Sequence, residues 1–297
     1  MRKTLKYEIK RFGVYSIQLL VFLLILATLG ESVLAEINSS SKAGEWQRLE
    51  PGLDWGVFVG SQSSTLGDSK IRILRIDPEF FDFHLINASA QADGKNLSAK
   101  DWARKHHLTA TINASMYQAN LKTSVSLMRT GEHVNSNWLS KDRSVFAFDP
   151  VGDSLPKAQI IDRDCQNLGA LREQYGTLIQ SIRMVSCKGK NVWKPQDKVW
   201  SATAIGTDKQ GRTLFIHVQT PFSMYDFINM LLELPIDLER AMYTEGGPQA
   251  QLYVNSSGRD MEWLGKYVIG GGGVGENQFG WPIPNVVGIT PIKKTTQ

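Results

Sequence analysis

Val199-Trp-Ser-Ala-Thr-Ala-Ile-Gly-Thr207, then Asp208-Lys-Gln-Gly211, then Thr213-Leu-Phe-Ile-His-Val-Gln219, is the stretch that decides the fold. Both flanks are rich in β-branched and aromatic residues, and the turn between them carries Gly211 where positive φ is most easily reached, so the stretch reads as a β-hairpin. Outward from it the same signature recurs: strands are expected over 70–77, 81–87, 108–113, 124–129, 144–149, 177–185, 241–243 and 250–254. The first two, joined at Asp77-Pro78, read as a second hairpin. Two capping boxes open helices. Ser98-Ala-Lys-Asp101 starts one that runs to about His107 with Ala99, Trp102, Ala103 and His106 on one face. Ser223-Met-Tyr-Asp226 starts another that buries Phe227, Ile228, Leu231 and Leu232 and ends at Pro235. The expectation is an α+β chain, a single domain over 46–290 with a mixed, strand-rich sheet and a few packed helices, closed by a polar tail at 291–297.

The N-terminus reads differently. Arg2, Lys3, Lys6, Lys10 and Arg11 precede an apolar run from Val14 to Leu29, and Val33-Leu-Ala35 offers small and apolar residues for cleavage before Glu36. That is a signal peptide over 1–35, or an N-terminal anchor if it stays uncleaved, followed by a Ser-rich polar leader at 36–45. Losing five bases and two acids lowers the net charge from +4 to about +1. A near-neutral domain without a basic run gives no electrostatic reason to bind nucleic acid, and the membrane enters only through the uncleaved segment. The expected place is periplasmic or secreted, where Cys165 and Cys187 would pair, the alternative being two buried thiols.

Several motifs are absent or unsupported. Gly270, Gly272 and Gly275 satisfy G-x-G-x-x-G, but Glu276-Asn-Gln-Phe-Gly-Trp-Pro282 is poor helix material, so no dinucleotide site is expected there. The histidines His84, His106, His107, His133 and His217 have no zinc spacing, and neither a nucleophile elbow nor a Walker loop occurs. No cofactor and no metal are expected.

What remains are polar residues where apolar strands meet turns. In Thr244-Glu-Gly-Gly-Pro-Gln249 a carboxylate at a strand end is followed by two glycines whose bare backbone admits a ligand; Glu245 is either catalytic or an acid held in a tight turn. Asn113 ends another apolar strand and either points its amide at substrate or makes an Asx turn. Arg183, in Gln180-Ser-Ile-Arg183, is a guanidinium within an apolar strand, suited to phosphate or to a buried salt bridge, with Glu245 one candidate partner.

Taken in order, Ile112-Asn-Ala-Ser-Met-Tyr117, Gln180-Ser-Ile-Arg-Met-Val-Ser-Cys187, Ser201-Ala-Thr-Ala-Ile-Gly206 and Thr244-Glu-Gly-Gly-Pro-Gln249 resemble the phosphodiester glycosidase family, to which the uncovering enzyme of mannose 6-phosphate belongs. Glu in the acidic turn and the closing Trp281-Pro-Ile-Pro-Asn285 are most similar to a bacterial branch. The chain departs from the family at Ser201-Ala202, where Arg is frequent, and at Ser115, where Gly is common. The resemblance implies hydrolysis of the glycosidic bond of sugar 1-phosphodiesters in envelope or exopolysaccharide metabolism. Glu245, Arg183 and Asn113 would be catalytic, and Tyr117, Gln180, Ser181, Thr203, Gly246, Gly247 and Gln249 would touch a sugar-phosphate or glycan substrate. The competing readings are a metal-dependent phosphodiesterase and a non-catalytic glycan-binding protein.

Overall fold

The hairpin forms where the sequence places it: β12 (Trp200–Asp208) and β13 (Thr213–Phe222) pair antiparallel, with Gly211 at φ 79° in the turn. The structure is a computed structural model that describes residues 44–269, 273–275 and 277–293. The expected signal segment 1–35, the leader up to residue 43, residues 270–272 and 276 of the glycine-rich stretch, and the tail from residue 294 lie outside the described residues.

The hairpin is the centre of a seven-stranded sheet in the order β1 (Trp46–Glu50), β2 (Leu53–Val59), β3 (Lys70–Ile76), β13, β12, β14 (Leu238–Gly246), β11 (Arg183–Val185). A five-stranded sheet runs β7 (His133–Ser136), β6 (Met128–Thr130), β10 (Tyr175–Ser181), β8 (Ser144–Pro150), β9 (Ala158–Asp162). Another runs β16 (Arg259–Leu264), β15 (Gln251–Ser256), β5 (Ala110–Asn113), β19 (Asn285–Pro291), β4 (Phe81–Asn87), and β17 (Tyr267–Ile269) pairs with β18 (Gly273–Gly275).

Two expectations are corrected. Each strand pairing among the described residues is antiparallel, so the expected mixed sheet is not found there, and the strand-rich chain with its few helices is mostly β rather than α+β. Strands β3 and β4 also do not form a hairpin: β3 pairs with β2 and β13, whereas β4 pairs with β19. At Asp77 the backbone N–H is taken by Gly52 O and the side chain accepts from Glu79 N, so the turn hands the chain from one sheet to another.

Alternation builds the core. Phe215, Ile205, Met242 and Leu74 of the seven-stranded sheet face Phe146, Phe148 and Ile179 of the second sheet and Ile112, Leu252 and Val287 of the third, in one shared apolar centre. The opposite faces are covered separately. Helix Met224–Glu233 packs Phe227, Ile228 and Leu231 on Leu214, Ile216 and Val218, and helix Ala99–His106 packs Trp102 and Ala103 on Tyr253 and Val286. Both Ser caps form: Ser98 Oγ accepts from Asp101 N and Ser223 Oγ from Asp226 N, each at 3.1 Å, while each hydroxyl donates to the carboxylate of the same Asp. Among the described residues no helix is long and apolar enough to cross a membrane.

Candidate active site

The end of β14 is shaped by one extra residue. Ala204 stands opposite Tyr243 and Thr203 opposite Glu245, so Thr244 is a bulge that bends the strand before the glycines. Thr244 Oγ1 lies 2.9 Å from Thr203 Oγ1, which lies 3.2 Å from Asn113 Oδ1. Asn113 Oδ1 also accepts from Gln251 N at 2.7 Å, and its Nδ2 donates to Gln249 O at 2.9 Å. The amide at the end of β5 thus clamps the chain just after the turn to the neighbouring strand, a different task from the substrate contact expected of it. The glycines are required. Gly247 has φ 61°, and a Cβ on Gly246 would sit 2.1 Å from the Tyr243 hydroxyl and 2.5 Å from Trp200 Cδ1.

Glu245 follows the bulge directly. Burial pushes its carboxyl up to about 7, with only the Gly246 N–H, 3.0 Å away, acting in the opposite sense. No ion pair to it occurs among the described residues. Tyr117 is half-buried, and burial together with the charge of Glu245 pushes its phenol up to about 12; Tyr243 is raised by the same two causes in the same order. Both phenols therefore remain proton donors at neutral pH. The arrangement is a carboxyl poised between its two protonation states, two hydroxyl donors within its field, and bare glycine backbone beside it.

A sequence model of phosphodiester glycosidases matches residues 106–290, which include β5, β12, β14 and the turn that carries Glu245. The chain belongs to the phosphodiester glycosidase family. The fold agrees. The catalytic domain of zebrafish N-acetylglucosamine-1-phosphodiester alpha-N-acetylglucosaminidase, auto-inhibited by its pro-peptide, superposes with TM-score 0.57 at 13% identity, covering 84% of this chain and 86% of that one. A hypothetical protein from Synechocystis gives TM-score 0.57 at 11% identity, covering 84% of this chain and 64% of that one. No curated protein sequence matches the chain.

In this family member the other expected site residues divide. Tyr117, Gly246, Gly247 and Gln249 lie with Glu245, partly exposed. Gln180, Ser181 and Thr203 are fully buried beneath the site rather than open to it. The Gln180 amide is fully used: Oε1 accepts from Leu127 N and Ser140 N, and Nε2 donates to Ser140 O and Asp142 O. It holds the 140–142 loop. Ser181 donates to Tyr243 O and so holds β14.

Arg183 is not partnered by Glu245. It donates to Asp162 and Asp164, each at 2.7 Å, and lies in the short segment that leads to the Cys165–Cys187 disulfide. Asp162 is almost fully buried. Burial pushes its carboxyl up, yet the N–H groups of Asp164 and Cys187 and the Arg183 guanidinium together hold it below the ordinary range. Asp162, Cys165 and Cys187 are also the one group with metal-ligand spacing among the described residues, but the sulfurs are joined to each other and the carboxylate is occupied, so the donor set does not suit a metal.

The sequence reading singled out neither Trp193 nor Trp200 and noted His217 only for its lack of zinc spacing. Trp193 lies beside Tyr243 with ring centroids 6.0 Å apart and the planes tilted by 51°, and Trp200 lies against the Gly246 backbone. His217 stands between Arg72 and Thr203 across the sheet, fully buried, and burial plus the Arg72 charge push it down to about 3, so the ring is neutral. No motif marks these residues, because they meet only through strand register.

Proposed function

We propose that the chain is an exported hydrolase that cleaves the glycosidic bond of sugar 1-phosphodiesters, with Glu245 as the carboxylate that acts at the anomeric carbon. The observation that carries the reading is the Glu245 carboxyl, raised by burial to about 7 at the bare Gly246-Gly247 turn. Export is supported by the N-terminal pattern and by the disulfide, and the expected setting is periplasmic or secreted, in metabolism of envelope glycans.

Cleavage at an anomeric carbon passes through an oxocarbenium-like state that most glycosidases meet with two carboxyl groups. Here the leaving group is a phosphate monoester, which departs as a stabilised anion and needs little general-acid help. Ionised Glu245 takes the proton of the attacking water or steadies the sugar cation. The Tyr117 phenol, protonated at neutral pH, donates to a phosphate or sugar oxygen, and the glycine backbone allows the sugar to approach. The Arg183 charge is committed to Asp162 and Asp164, so Arg183 supports the strand beneath the site and the phosphate falls to the donors around Glu245.

The test is hydrolysis of UDP-N-acetylglucosamine and of a synthetic sugar 1-phosphodiester by the purified domain, wild type beside Glu245→Gln, with and without EDTA. EDTA-resistant release of free sugar that collapses in the variant supports the reading. EDTA-sensitive turnover would favour a metal-dependent phosphodiesterase, and glycan binding without turnover a non-catalytic binding protein.

A further inference from the structure

Beside the β11–β14 strand pair lies an open cavity of about 500 Å³ that the reaction above does not use. Its wall is Ile182, Arg183 and Trp193. The Trp193 indole N–H donates to Arg183 O at 2.9 Å, which fixes the ring, and Ile182 O accepts from Tyr243 N at 2.9 Å, which joins the cavity wall to the strand that ends in Glu245. Lys141, Arg143 and Lys194 form the rim.

The charges of this rim are not all alike. Arg183 is matched by Asp162 and Asp164, and Arg143 lies 3.6 Å from Asp164. The Asp142 carboxylate is held by the hydroxyls of Ser126 and Ser140 at 2.9 and 2.7 Å. Lys141 and Lys194 are exposed and have no ion-pair partner among the described residues. The segment that the disulfide tethers, from Cys187 to Lys198, adds exposed Lys188, Lys190 and Lys198 against the single acid Asp197. A cavity with an indole wall and a surplus of free ammonium groups suits a ring with an apolar face and an anionic substituent. A neutral sugar would leave the lysines unused, and a simple phosphate would leave the indole unused.

We infer that this cavity is a subsite for an anionic saccharide, so that the substrate is a negatively charged glycan whose chain extends from the Glu245 site past Trp193. This rests on the proposed glycosidase reading for its link to catalysis, but binding itself is measured without turnover.

The experiment is calorimetric titration of the Glu245→Gln domain with hexagalacturonate, with its fully methyl-esterified form, and with a glycerol-phosphate hexamer, repeated with Lys141→Gln and Lys194→Gln added. Hexagalacturonate is expected to bind, more tightly than the ring-less glycerol-phosphate hexamer and with affinity that falls as salt rises; removing either the ligand charge or the two lysines is expected to weaken it by about tenfold. Hydrolysis of a sugar phosphodiester with a small neutral aglycone should be unchanged by the lysine substitutions in the otherwise wild-type domain. Failure of hexagalacturonate to bind, binding of the glycerol-phosphate hexamer at least as tight, equal binding of the ester, or indifference to the lysine substitutions overturns the inference. Anionic binding by a domain that hydrolyses no phosphodiester would leave the subsite standing and remove the glycosidase reading.

Discussion

Glu245→Gln should make the protein more stable and much less active at once. The carboxyl has an ordinary value of 4.5 and is raised to about 7 in the folded chain, so between these values the folded state holds a proton that the unfolded state has lost. Stability therefore falls as pH rises from 4.5 to about 7 and stays reduced above it. At about 1.4 kcal/mol per pH unit, the cost of ionising Glu245 in place is about 3 kcal/mol at pH 8 and nothing at pH 4. Glutamine keeps the shape and can still accept from Gly246 N, but never ionises. Urea unfolding of wild type and variant across this range should show equal stability at the acidic end and a variant more stable by about 3 kcal/mol at the alkaline end. The same substitution should lower turnover by about 10²- to 10⁴-fold, as removal of a general base does. Wild-type kcat/KM should rise with pH through an apparent pKa near 7, because the ionised form is the active one. A variant no more stable than wild type at pH 8 would refute the claim that burial, rather than a compensating partner, sets the state of this carboxyl.

Further expectations concern the frame around the site. Arg183→Met should cost about 3–5 kcal/mol by stranding buried Asp162, and its acid unfolding limb should move to higher pH because the carboxyl loses a partner that lowers it; urea melts of Arg183→Met beside Arg183→Met/Asp162→Asn check this, the double variant recovering most of the loss. Replacing Cys165 and Cys187 by Ala opens a loop with 22 residues of separation and should cost about 3 kcal/mol in the same assay. Asn113→Ala should cost about 2–4 kcal/mol, since Gln251 N and Gln249 O lose their partner, and should lower kcat more than it raises KM because Glu245 is then less well placed.

What was legible in the sequence was local. Phe81–Asn87 forms a strand over the expected residues, the hairpin around Gly211 pairs as expected, and both helices begin at their Ser caps, because each depends on neighbours within a few positions. The assignment of β3 and β4 to different sheets was not legible, since a Pro turn looks the same whether the chain returns to its own sheet or leaves it. The site shows the same division. Glu245 and its glycines stand out in one short run, and Arg183 stood out as a charge among apolar residues. Whether that charge met Glu245 or another acid depended on β11 lying beside the Asp162 loop, a contact across 21 positions that no motif encodes. Gln180 looked available for a ligand because its polarity was visible and its four hydrogen bonds to the 127 and 140–142 segments were not.

The most direct test of the central claim is turnover of a synthetic N-acetylglucosamine 1-phosphodiester in oxygen-18 water, read by mass spectrometry before the free sugar exchanges its anomeric oxygen. Attack at the anomeric carbon, assisted by Glu245, predicts label in the sugar and none in the phosphate, with the signal lost in Glu245→Gln. Label in the phosphate would contradict the account, because water would then have attacked phosphorus.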